Sequence, residues 1–129
     1  MIYTVYTDTS IETIKNQIEP HAKEVGFGLL NKYEFKKILH DKGYPIKKEI
    51  TVFELCNPPG AQQALSQIAA ISVYLPCRIS LYEENGKSVL ATIGFEDIMG
   101  AVEDIDEQFK AFMTILFENL KRVMHSWDH

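Results

Sequence analysis

The chain has 129 residues, of which 46% are hydrophobic and 24% charged, and its formal net charge at pH 7 is −5. This composition is typical of a globular protein and excludes a fibrous or largely disordered chain. The length suffices to bury one core, so we expect a single domain over residues 1–129. The chain lacks a leader-like basic and apolar start and any apolar run of about eighteen residues, so we expect a cytoplasmic protein without membrane-spanning segments.

The charges are unevenly distributed along the chain. Residues 95–129 contain eight acidic and three basic residues, whereas the first 94 residues carry ten of each sign. Six lysines crowd residues 32–48. We interpret both segments as solvated faces, with the alternative that they orient two copies or a partner on each other. The negative net charge and the absence of an aromatic-plus-basic motif argue against nucleic acid as a partner.

The N-terminal segment predicts a strand followed by a helix. Residues 2–7 are rich in β-branched and aromatic side chains, which favour a strand. Ser10 offers a capping oxygen to the helix, and Gly26 ends it. Pro20 falls late in this helix and would either kink or divide it. The apolar stripe that identifies the helix comprises Ile11, Ile14, Ile18, Ala22 and Val25.

The middle of the chain predicts two more strands and two helical segments. Residues 27–35 alternate as a strand, residues 36–43 indicate a short helix or turn, and residues 49–56 form the third strand. Asn57 then suits a helix N-cap, and Pro58 suits the first helical position because its missing N–H costs nothing there. The following "GAQQALSQIAA" consists of good helix formers.

The last part of the chain predicts a hairpin and a long helix. "ISVYLPCRISLYEE" favours a strand, but Pro76 cannot donate to a ladder, so this strand is an edge or bulges there, or it begins at Cys77. The Asn85-Gly86 pair predicts a type I′ turn into the fifth strand. Residues 95–102 indicate a helical turn, and residues 103–125 the longest helix. The order β-α-β-β-α-β-β-α favours an α+β fold with a mainly antiparallel sheet covered by helices.

Four segments together resemble the bacterial and archaeal domain-of-unknown-function family 302. They are "GFGLL" near residue 26, "CNPPGAQQAL" at 56–65, "LPCRISLYEENGK" at 75–87 and the acidic helical tail. Phe95 stands where the family usually carries a proline. The resemblance implies an α+β fold similar to the TATA-binding-protein type, a homodimer and no established activity, and fold similarity alone transfers no function. The residues that match the family pattern are Cys56, Asn57, Pro58, Leu75, Pro76 and Cys77.

The two cysteines, Cys56 and Cys77, are the main candidate functional residues. Cys56 precedes a helix N-terminus, where the dipole favours a thiolate. Antiparallel pairing of the third and fourth strands would bring Cys77 to the same end of the sheet, with Arg78 adding positive charge. Such a pair suits redox or sulfur-transfer chemistry, or a soft metal with a third ligand. Equally, both cysteines suit the core, because free cysteine is among the most buried residue types.

A second candidate cluster lies at the end of the sequence. His125 and His129 are four residues apart and would share a helix face, with Asp128 beside them, so they are weak candidates for a metal site. A frayed terminus is a poor scaffold for ligands.

The sequence favours a homodimeric domain that binds a small molecule or a partner at Cys56, Asn57, Pro58, Cys77 and Arg78. A long helix packed on a curved sheet leaves room for an apolar cavity, where such a ligand would bind. The alternative is a thiol-based redox or sulfur-transfer protein that uses Cys56 and Cys77, and a weaker one is a metal-binding protein. The pattern identifies no cofactor and does not decide whether the protein catalyses a reaction.

Overall fold

The structure is a computed structural model that describes residues 1–101 and 106–128. The predicted start of the last helix at residues 103–105 and the candidate ligand His129 lie outside the described residues. The described residues form five strands, five α-helices and one 3-10 helix: β1 (Ile2–Thr7), α1 (Ile11–Glu24), β2 (Gly28–Glu34), α2 (Phe35–Asp41), β3 (Thr51–Cys56), α3 (Pro58–Gln67), the 3-10 helix (Ala69–Tyr74), β4 (Cys77–Glu84), β5 (Lys87–Ile93), α4 (Phe95–Ala101) and α5 (Glu107–Met124).

The strands form one antiparallel sheet in the order β1-β5-β4-β3-β2. This confirms the prediction of an α+β fold with an antiparallel sheet. The β4–β5 hairpin turns at Asn85 and Gly86, whose φ angles of 53° and 79° have the positive sign that a type I′ turn requires. Strand β4 pairs with β5 through this hairpin and with β3 on its other side, so β4 is the middle strand of the sheet.

Strand β4 begins at Cys77, directly after the cis Leu75–Pro76 peptide bond. Of the alternatives for Pro76, the structure therefore shows a proline just outside the strand, where no ladder hydrogen bond is lost. The alternative that the strand begins at Cys77 is confirmed, and the apolar residues 69–74 before it form the 3-10 helix instead of a strand. Ile71 is fully buried there in a small cluster with Ala64 and Phe109. The apolar side chain is therefore buried against helices and not by strand pairing.

Local sequence signals account for both long helices. The Ser10 hydroxyl caps α1 by accepting the N–H of Thr13 at 3.2 Å, and α1 continues through Pro20 without division. Helix α5 starts after Asp106, whose carboxylate accepts the Phe109 N–H at 2.6 Å. None of the helices in the described ranges is long and apolar enough to cross a membrane.

Helices α1 and α5 pack on one face of the sheet and bury it. The largest cluster joins their apolar stripes to the strand side chains Val5, Phe53, Leu55, Ile79, Leu81 and Leu90. Alternate strand residues point to the opposite face. We call this the open face, because Ile2, Tyr6 and Ile93 are 68%, 57% and 41% exposed on it. On the buried face, one end of β3 and β4 lies against α3 and α5, and the candidate residues Cys56, Asn57 and Cys77 lie there.

Candidate functional site

Asn57 fixes the junction between β3 and α3. Its side-chain oxygen accepts the N–H of Gly60 at 2.8 Å, and its side-chain nitrogen donates to the carbonyl of Gly26 at 3.1 Å. The first contact is the predicted N-cap, with Pro58 opening the helix. The second contact ties α3 to the turn before β2. Gly26 has a φ of +87°, and a Cβ there would lie 2.9 Å from the Asn57 nitrogen, so the turn needs glycine.

The two cysteines lie at the same end of neighbouring strands. The register pairs Cys77 with Leu55, the residue before Cys56, so the cysteines are not directly opposite each other across the ladder. Both thiols are free and half-buried. Cys77 packs against the main core cluster.

Both cysteines line a partly open apolar space, which we call the cavity. Its volume is about 60 Å³. Helix α3 supplies Ala61 and Ala64, and α5 supplies Met113 and Leu116, while Cys56 and Cys77 close the end of the sheet. The walls are almost entirely apolar, so the cavity favours a hydrocarbon group over a polar one. The structure thus places the two halves of the Cys-Asn-Pro and Leu-Pro-Cys pattern around one space.

Burial determines the protonation of Cys77. Loss of solvent raises the pKa of the Cys77 thiol to about 11, and a negative charge on Cys56 would raise this pKa in the same direction. At neutral pH only about one molecule in ten thousand would carry a Cys77 thiolate. Cys77 is therefore a poor nucleophile in this conformation, since the thiolate is the reactive form.

Arg78 lies on the open face in a hydrogen-bonded group with Glu54. The Arg78 Nε donates to one Glu54 oxygen at 3.0 Å, while the Tyr33 hydroxyl and the Asn31 amide donate to the other at 2.8 and 3.2 Å. The Glu54 side chain is only 8% exposed, whereas that of Arg78 is 54% exposed. These hydrogen bonds, that of Tyr33 foremost, lower the pKa of the Glu54 carboxyl, so it is ionised at neutral pH.

Sequence reasoning found Arg78 but missed Glu54, Tyr33 and Asn31. One signal was present: Glu54 interrupts the otherwise apolar strand segment "TVFELC". A carboxylate in a mostly buried strand requires partners, and the cross-strand neighbours are the first place to seek them.

A broad groove on the open face adjoins the cavity. It has a volume of about 660 Å³ and runs from the 3-10 helix and α4 across β4 and β5. Arg78, Ser80 and Tyr82 of β4 lie along it, and Cys77 and Pro76 line both the groove and the cavity.

His125 is engaged by side chains of this chain. One ring nitrogen lies 2.6 Å from the Tyr3 hydroxyl and the other 2.6 Å from the Asp128 carboxylate. This arrangement ties the end of α5 to β1. Within residues 1–101 and 106–128, no group of three or more histidine, cysteine, aspartate or glutamate side chains could bind a metal ion. In this conformation, metal binding at His125 would first have to displace the contact with Tyr3 or with Asp128.

Comparison with known proteins confirms the family resemblance. The family model described as "Domain of unknown function DUF302" matches residues 3–127. The crystal structure of an uncharacterised conserved protein DUF302 from Bacillus stearothermophilus is similar to this one, with a TM-score of 0.80 and 26% sequence identity over 98% of this chain and 95% of that chain. No curated protein matches the sequence.

Proposed function

Because the chain belongs to the DUF302 family, whose name assigns no activity, its function must be inferred from the site, and we propose a small-molecule-binding domain. The ligand occupies the cavity beside Cys56, Asn57 and Cys77, whereas Pro58 opens α3 outside the cavity lining and Arg78 lines the adjoining groove. One observation supports this above the others: the two cysteine segments, distant in sequence, both line one apolar space of about 60 Å³. Such concave apolar spaces with a few polar groups are typical of ligand sites.

A methyl NMR titration with 1-butanol tests the proposal. Met113 lines the cavity, whereas the fully buried Met124 belongs to the main core cluster, so the two ¹³C-labelled methyls separate local binding from a general solvent effect. We expect 1-butanol to shift the Met113 signal in a saturable way and to leave Met124 in place. A Met113 signal that never responds would refute the proposed site.

The matched variants are Ala64→Leu and Gln63→Leu. Ala64 is 1% exposed and lines the cavity, so a leucine there fills the space. Gln63 is exposed on the same helix and carries the same added side chain away from the cavity. We expect Ala64→Leu to abolish the response to butanol and Gln63→Leu to retain it. Added bulk in a packed site costs about 1–3 kcal/mol, so the thermal midpoint of each variant is measured first.

We also propose that the protein acts as a homodimer in the cytoplasm. The 57% exposed Tyr6 on the outer strand β1, outside the groove lining, supports an interface at that edge of the sheet, and two free thiols suit a reducing compartment. Sedimentation velocity would show a species of twice 14.8 kDa. Tyr6→Lys should shift the equilibrium to monomer, while Tyr44→Lys, which changes an exposed tyrosine outside the sheet, should not. Monomers at all concentrations would refute the dimer.

The thiol alternative has weaker support. Both cysteines line the cavity, but the raised pKa of Cys77 leaves it almost fully protonated at neutral pH. A redox or sulfur-transfer role would therefore depend on Cys56 as the attacking thiolate. The metal alternative lacks a third neighbouring ligand among the residues that the structure describes.

A further inference from the structure

The cavity and the groove are adjacent spaces that share a wall. Tyr74, Pro76, Cys77, Ile98, Phe117 and Leu120 line both of them. The cavity volume of about 60 Å³ is less than half of the roughly 150 Å³ in which an apolar protein cavity takes up benzene. The cavity therefore accommodates the end of a short alkyl chain, and the rest of such a ligand would extend toward the groove.

Among the described residues that line this groove, Arg78 has the positively charged side chain. Asp97 also lines the groove, and its carboxylate forms an ion pair with the amino group of Met1. Within the described chain, the Arg78 guanidinium makes its hydrogen bond through Nε, to Glu54. The two terminal nitrogens remain for an external group, since a guanidinium carries five N–H donors.

Glu54 holds the Arg78 side chain in place. Its carboxylate is itself held by Tyr33 and Asn31 of β2, so the guanidinium is attached to a fixed point on β3. A pre-positioned cation loses little conformational freedom when it binds an anion. The planar edge formed by two guanidinium nitrogens matches the two oxygens of a carboxylate.

We infer that the ligand is a small amphipathic carboxylate, with its short alkyl end in the cavity and its carboxylate on Arg78 in the groove. This inference rests on the proposed function, because it assigns a ligand class to the same site. The orientation follows from the walls: the apolar cavity would strip water from a charged group without replacing its hydrogen bonds. Each added methylene should strengthen binding about fourfold until the cavity is filled.

Paired titrations with sodium n-alkanoates and 1-alkanols of two to six carbons test the ligand class. Binding is followed by the Met113 methyl signal and by the backbone amide signal of Arg78. In the wild type we expect alkanoates to bind at least tenfold more tightly than alkanols of equal length, and to shift both signals. Alkanols should shift Met113 alone.

The variants separate the two ends of the ligand. Arg78→Gln should weaken alkanoate binding at least tenfold and change alkanol binding less than twofold. The control is Arg122→Gln, which alters the chain's other arginine, exposed on α5. This variant should change the binding of neither alkanoates nor alkanols. Sedimentation velocity checks that each variant keeps the wild-type association state. If Arg78→Gln does not fold, Arg78→Lys decides instead: it keeps the charge but loses the planar edge, and alkanoate binding should still fall severalfold.

The outcomes distinguish the two ideas. If alkanoates bind no tighter than alkanols, or lose no affinity when Arg78 is replaced, the ligand class is wrong while the cavity remains a binding site. If neither series shifts Met113, the proposed function is itself wrong. If alkanoate affinity no longer rises with chain length in Ala64→Leu, which retains Arg78, the result would support both the cavity as the binding site and the carboxylate as the ligand class.

Discussion

Replacing Asn57 with alanine tests how the junction between β3 and α3 is stabilised. The change removes the cap on the Gly60 N–H and the contact with the Gly26 carbonyl. Loss of a helix N-cap costs about 1 kcal/mol, and loss of the exposed hydrogen bond to Gly26 costs about 0.5–1 kcal/mol. We therefore expect the free energy of unfolding to fall by about 1.5–2 kcal/mol, which lowers the thermal midpoint by roughly 5–10 °C in a domain of this size.

Two further variants divide this cost between the two contacts. Asn57→Ser restores a capping oxygen but cannot reach Gly26 as a donor, so it should recover about 1 kcal/mol of the loss. Asn16→Ala removes an exposed asparagine from α1 and should change stability by less than about 0.5 kcal/mol.

The assay is urea denaturation followed by fluorescence. The chain has a single tryptophan, Trp127, which is 5% exposed in the folded state and therefore reports unfolding. If Asn57→Ser is as unstable as Asn57→Ala, the cap contributes nothing. If Asn57→Ala unfolds at the wild-type urea concentration, neither contact stabilises the junction, and the reasoning fails.

Two other predictions concern ionisable groups. Hydrogen bonding lowers the pKa of Glu54 below its ordinary 4.5, so its contribution to stability is present above pH 4.5 and is lost as the pH falls through the lowered value. Glu54→Gln should therefore lose less stability than the wild type between pH 5 and pH 3 in urea titrations, and equal losses would contradict this. In the wild type, the pKa of about 11 at Cys77 predicts alkylation of this residue at pH 8 about a hundredfold slower than in the urea-unfolded chain, with peptide mapping separating Cys77 from Cys56. Mass spectrometry measures both rates, and similar rates would show that Cys77 is accessible and ionised.

Local chemistry made parts of the fold predictable from sequence. Strand β1 covers residues 2–7 as predicted, Asn85-Gly86 forms the hairpin turn, and Asn57 caps α3. In each case the signal depends on neighbours within a few residues: alternation of apolar side chains, positive φ at a turn, or a side-chain oxygen next to free N–H groups.

Features that depend on tertiary contacts were not predictable in the same way. The run "ISVY" suits a strand by composition, but Ile71 packs against Ala64 and Phe109, and the segment coils as a 3-10 helix. An apolar run carries no information about which partner buries it. The possibility of a cavity was foreseeable, but its size and its junction with the groove depend on how closely α3 approaches α5.

The two contacts of Asn57 also bear on how a ligand would reach the cavity. Helix α3 cannot swing outward at its N-terminal end without losing one of them: the contact with Gly26 if Asn57 moves with the helix, or the cap on Gly60 if Asn57 stays in place. The other side of the cavity is bounded by side chains such as Tyr74 and Ile98, which also face the groove. Rotation of a side chain is much faster and less costly than displacement of a helix. The easiest route into the interior thus runs past the 3-10 helix and α4, and the rate of exchange should depend on the size of those side chains.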